Sequence, residues 1–147
     1  MSRYEYLLVK AALVYLVLTG LLGVAFLIEP TLAGFFRVTH VHLGVIGFFL
    51  SMVMGVAYWM MPRPGQLKQE GLEALTFYLL NAGLVLRIIA EPWWRYSGDP
   101  LPHWLSICSG LLLLAAIVTF AVAMQARVKT KEMILELRSR REATEQG

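Results

Sequence analysis

Residues 7–28 read LLVKAALVYLVLTGLLGVAFLI, 22 residues broken by one charge, Lys10, and closed by Glu29-Pro30. A helix of about 20 mostly apolar residues crosses a bilayer, so this stretch predicts a transmembrane helix. It shows none of the apolar–polar alternation of a membrane barrel strand. Three further runs match it: 38–61, 72–89 and 105–124. Their boundaries are the breakers Pro62-Arg63-Pro64-Gly65, Glu91-Pro92 and Asp99-Pro100-Leu101-Pro102. The expectation is an all-α bundle of four transmembrane helices: one membrane domain over 1–126 and a basic helical tail over 127–147. The first run lacks a small-residue cleavage site before its loop, so it reads as a retained helix and not as a signal peptide.

Composition agrees. Of 147 residues, 58% are apolar and 16% charged, against roughly 45–50% and about 25% in soluble domains. Mean hydropathy is +0.62. These values exclude intrinsic disorder, a disulfide scaffold and a conventional water-soluble enzyme, because so short a soluble chain has too much surface to hide its apolar side chains. Cys108 is the one cysteine and has no intrachain disulfide partner.

Four spans put the N-terminus, the loop after the second span and the tail on one side. Ten of the thirteen Lys and Arg residues fall there: Arg3, Lys10, Arg63, Lys68, Arg127, Lys129, Lys131, Arg138, Arg140 and Arg141. By the positive-inside rule both termini are expected in the cytoplasm, in a membrane of the bacterial inner type. The formal charge of +3 is then topology plus a basic tail, and no nucleic-acid partner is expected. The tail carries Met133, Ile134, Leu135 and Leu137. It reads equally as a helix lying on anionic lipid, as one packed on a partner, or as a solvated helix end.

The three histidines, His40, His42 and His103, all open helices that start on the outer side, so they share one membrane level. Ionisable residues at membrane depth are costly and raise a functional hypothesis, although the headgroup region also tolerates histidine. At about 100° per residue His40 and His42 point about 200° apart. His40 continues as Gly44, Gly47, Ser51, Gly55 and Tyr58, a small-residue stripe where another helix or a flat cofactor approaches. His42 heads Val45, Phe49, Val53, Val56 and Met60, a face for lipid or another subunit. His103 shares a side with Ser106, Gly110, Leu114, Ile117 and Ala121. One histidine from each of two helices, at matched depth beside small residues, is what bis-imidazole haem ligation needs. The expected metal ligands are therefore His40 and His103, with Gly44 and Gly47 lining the haem. Arg87, near the outer end of the third span, either pairs with Glu91 one turn on or neutralises a haem propionate. Trp93, Trp94, Tyr96 and Trp104 read as an aromatic belt. Asn81, nearer mid-bilayer, is expected to make an interhelical hydrogen bond.

The second span, with Arg37-Val38-Thr39-His40-Val41-His42, then Gly47-Phe48 and Gly55-Val56-Ala57-Tyr58-Trp59-Met60-Met61-Pro62, resembles helix II of subunit I in haem-copper oxidases and nitric oxide reductases. The stretch 80–92 resembles the following helix in short four-span relatives of that subunit. The resemblance implies a low-spin haem ligated from the second span, at His40 or, with a two-residue shift, at His42. It does not extend to dioxygen or nitric oxide reduction. Those oxidases have about twelve spans and further histidines that this chain lacks. His103 as second ligand is inferred from depth and side alone.

Two functions compete. One is a haem b membrane cytochrome passing electrons between quinol and an outer-face redox partner, or binding a diatomic gas if one axial position is open. The other is a cofactor-free accessory or assembly subunit of a respiratory membrane complex. Leftover helix faces such as Phe49, Val53 and Val56 favour a homo-oligomer, including one in which His42 is used across the interface. No complete catalytic site is seen.

Overall fold

In the computed structural model, four apolar stretches form four long helices, and no strand occurs among the described residues. The structure describes residues 2–61 and 70–145, without the side chains of 129–132, 134, 144 and 145. The breaker at 62–65, with Arg63 and Lys68, lies outside them. Helix α1 covers Arg3–Ile28. A 3-10 turn, Pro30–Leu32, leads into the second span, which is α2 (Ala33–His42), a π-helical segment (Leu43–Leu50) and α3 (Ser51–Met60). Helices α4 (Glu70–Ser97) and α5 (Pro100–Glu145) complete the chain.

Local chemistry sets the ends. Ser2 caps α1 in a reciprocal capping box with Glu5, which satisfies amides that a helix start leaves without partners. The Glu29 carboxylate accepts from the hydroxyl and amide of Thr31, and these bonds hold it below the usual carboxylate range. Proline opens α5, where its missing N–H costs nothing. One expected boundary moves, and the tail continues the fourth helix. Helix α4 does not stop at Ile89 but runs through Pro92 to Ser97. Helix α5 passes residues 126 and 127 without a break, and Arg127 is fully buried in the bundle.

Helix α5 packs chiefly on α4, α4 also meets α2, and α1 lies along the π segment and α3. One core cluster joins Leu8, Met54, Tyr58, Leu80, Ala116 and Ala123, and a second joins Tyr15, Leu43, Leu84 and Leu113. Many apolar side chains, among them Val17, Leu21, Phe49 and Leu111, face outward. Such a surface is compatible with four helices that cross a membrane. Between helices in lipid, close packing and polar contacts replace the hydrophobic drive. The Tyr15 hydroxyl accordingly donates to Asn81 Oδ1 at 2.7 Å, the interhelical bond expected of Asn81. Lys10 is exposed and reaches back one turn, its Nζ 5.2 Å from the Tyr6 ring centre.

Candidate functional site

The bundle has two polar ends. The loop end holds the 3-10 turn and the α4–α5 connection, and carries all three histidines and Arg87. At the terminal end, residue 2, the end of α3, the start of α4 and Arg127 of α5 converge.

At the loop end, α2 directs the His40 ring against α1. Its centre lies 5.5 Å from that of Phe26, and a Cβ on Gly23 would sit 3.4 Å from its Cε1. His40 Nδ1 is buried without a hydrogen-bond partner, which costs about 1–3 kcal/mol unless something satisfies it. His42 is different: its Nδ1 is 2.9 Å from the Val38 carbonyl, a bond within its own helix. The ring of His103 is exposed and rests on Trp94 of α4, with centres 4.6 Å apart. His40 thus sits on the α1–α2 seam and His103 on the α4–α5 seam. No described contact joins them, and no group of three or more His, Cys, Asp or Glu residues suited to a metal occurs among the described residues.

The small-residue stripe is interior, and α1 fills it. A Cβ on Gly44 would meet Thr19 at 3.3 Å, one on Gly47 would meet Tyr15 and Leu84 at 2.8 and 2.9 Å, and one on Gly55 would meet Val9 at 2.9 Å. Helix α1 thus lies close against this stripe. The opposite face, with Val45, Phe49, Val53 and Met60, is exposed, as expected.

The fourth span needs correction. The residues expected to flank His103 on an interior face, Gly110, Leu114, Ile117 and Ala121, are exposed; only Ser106 is buried. The buried stripe is Pro102, Ser106, Ser109, Leu113, Ala116, Ala123 and Arg127.

Arg87 makes the expected pair, with Nη2 3.4 Å from Glu91 Oε2. Its Nη1 also donates to the Ser106 carbonyl at 3.0 Å. Its Nε has no partner, and neither have Ser106 Oγ, Ser109 Oγ and Thr39 Oγ1. Thr39 borders an apolar cleft of about 400 Å³ between α1, α2 and α4, lined by Leu21, Leu22, Ala25, Phe36 and Ile88.

Comparison with protein-family models, with curated proteins and with solved structures finds no match. The site is therefore read on its own geometry.

The terminal end holds what the sequence did not reveal. Glu73 and Arg127, both fully buried, form an ion pair at 2.8 Å. Arg127 also donates to the Tyr58 carbonyl and lies over the Tyr58 ring. The Ser2 hydroxyl donates to Glu73, and the Ser2 amide to Glu5. Tyr58 and Thr76 share a hydroxyl–hydroxyl bond of 2.9 Å. Charges so buried persist only when paired and hydrogen-bonded. The usable signal was positional: in four antiparallel spans, residues 2, 73 and 127 all fall at the same end.

Proposed function

We propose that this chain is a membrane haem protein of the electron-transfer kind, with a b-type haem ligated by His40 at the outer end of the second span. The observation that carries the reading is the buried, unpartnered Nδ1 of His40, on the helix whose sequence resembles helix II of the oxidase subunit. Imidazole suits iron. The fit is partial. One imidazole has an unmet bonding capacity, but the groove beside it is full, and His103 lies on another seam. The second axial imidazole is accordingly assigned to His103 of a neighbouring copy, in a homo-oligomer with the haem at the interface. Arg87 serves there as the partner of a haem carboxylate. Bound haem would supply one-electron chemistry, with quinol or an outer-face protein as redox partner. The chain's own residues hold and orient it. The orientation proposed is both termini in the cytoplasm of a bacterial-type inner membrane, with the histidines on the outer side.

A second reading has its own support. The filling of Gly44 and Gly47 by α1 is what a cofactor-free accessory subunit would show. Optical spectra of protein purified from haem-replete membranes decide between the two. The haem reading expects a Soret band that His40→Ala abolishes and His103→Ala alters, with His42→Ala neutral. A purified protein without a Soret band overturns the haem reading; haem lost only in His42→Ala moves the ligand to His42.

A further inference from the structure

Glu91 is 3% exposed, yet it serves two cations. One turn before it, Arg87 Nη2 lies 3.4 Å from Oε2; one turn after it, Arg95 Nε lies 3.1 Å from Oε1. Two guanidinium groups against one carboxylate leave a positive charge in surplus. Both arginines reach the surface, with side chains 22% and 40% exposed. Two further donors at this place lack partners. One is Arg87 Nε; the other is the hydroxyl of Ser106, a residue 4% exposed. The Ser106 carbonyl accepts from Arg87 Nη1 at 3.0 Å, which places this residue beside the guanidinium. At the same level of the bundle Trp93, Tyr96 and Trp104 are exposed, and such side chains favour the headgroup level of a bilayer.

We infer that Arg87, Glu91, Arg95 and Ser106 form a phosphate site for an anionic phospholipid of the outer leaflet. Glu91 fixes both guanidinium groups in place, so little side-chain freedom is lost when an anion arrives. Arginine presents paired donors that match phosphate oxygens. The surplus charge selects a headgroup of net negative charge over a zwitterionic one. The haem reading uses Arg87 for a carboxylate, but nothing in the lipid site depends on haem.

The test uses haem-free protein in neutral detergent, offered equal phosphatidylglycerol and phosphatidylcholine, with retained lipid counted by native mass spectrometry. Wild type is expected to prefer phosphatidylglycerol by about tenfold, a preference that Arg87→Gln and Arg95→Gln each abolish. Arg37→Gln, which alters a surface arginine at the same end of the bundle, is expected to keep it. Displacement of the lipid by millimolar inorganic phosphate would show that the phosphate group alone is recognised; resistance to it would show that the acyl chains contribute. Equal retention of both lipids by wild type, or an undiminished preference in Arg95→Gln, overturns the site. Arg95 is the more exposed arginine and makes only a local pair, so its variant stays informative if Arg87→Gln fails to fold. Because the readout is lipid mass and not absorbance, failure of the haem reading leaves this result unchanged.

Discussion

A single side chain, Arg127, shows what position in a sequence hides. As sequence it opens a basic tail and counts as one more cytoplasmic charge. As structure it is fully buried, paired with Glu73 and bonded to the end of the second span. A buried pair of this kind adds little over an apolar substitute, but breaking it strands a charge at about 3–5 kcal/mol. Glu73→Gln and Arg127→Met are each expected to lower the unfolding midpoint in detergent by about ten degrees. The double Glu73→Met, Arg127→Met variant should recover much of that loss, since it leaves no charge behind. A double variant no better than the worse single would show that the hydrogen bonds to Tyr58 and Ser2, and not the charges, hold this end. The pair was not legible because its members stand 54 residues apart and each is ordinary at a helix end. His40 and Asn81 were more legible, since a lone polar group in an apolar run needs a reason. For Asn81 the reason is Tyr15.

At the scale of the element, the second and fourth spans differ in how much their faces could be read. In lipid both the interior and the exterior of a helix are apolar, so only small and polar residues mark the inner face. The second span has them in one stripe, and that stripe is interior. In the fourth span the informative small residues are Ser109, Ala116 and Ala123, seven apart; a stripe drawn from His103 followed the wrong side. The π-helical stretch over Leu43–Leu50 was also hidden, because a shift in backbone bonding leaves no mark in side-chain type. Its consequence can be measured. A Cβ on Gly47 would lie under 3 Å from Tyr15 and Leu84, so both must move. Gly47→Ala is expected to destabilise by about 1–3 kcal/mol. Gly44→Ala, meeting Thr19 with its methyl at 3.3 Å and its hydroxyl at 3.9 Å, should cost less than half as much. Equal melting midpoints for the two variants would mean that α1 sits farther from the π segment than described.

At the scale of the molecule, four antiparallel spans were legible because span length and breakers are set by the bilayer, not by tertiary detail. Which end faces the cytoplasm rests on charge alone. Burial of Arg127 does not weaken that inference, because insertion acts on the nascent chain before the helices pack. The ten basic residues that sequence order assigns to the side of the termini still outnumber Arg37, Arg87 and Arg95 on the other. The orientation can be tested in a Cys108→Ser background with one cysteine added by Tyr96→Cys or Ala143→Cys, both at exposed positions. A membrane-impermeant thiol reagent on intact cells is expected to label the cysteine at 96 and to reach the one at 143 only after lysis. The reverse pattern would place His40, Arg87 and the phosphate site on the cytoplasmic side. An outer redox partner and an outer-leaflet lipid would then both be out of reach, whatever the local geometry of the side chains.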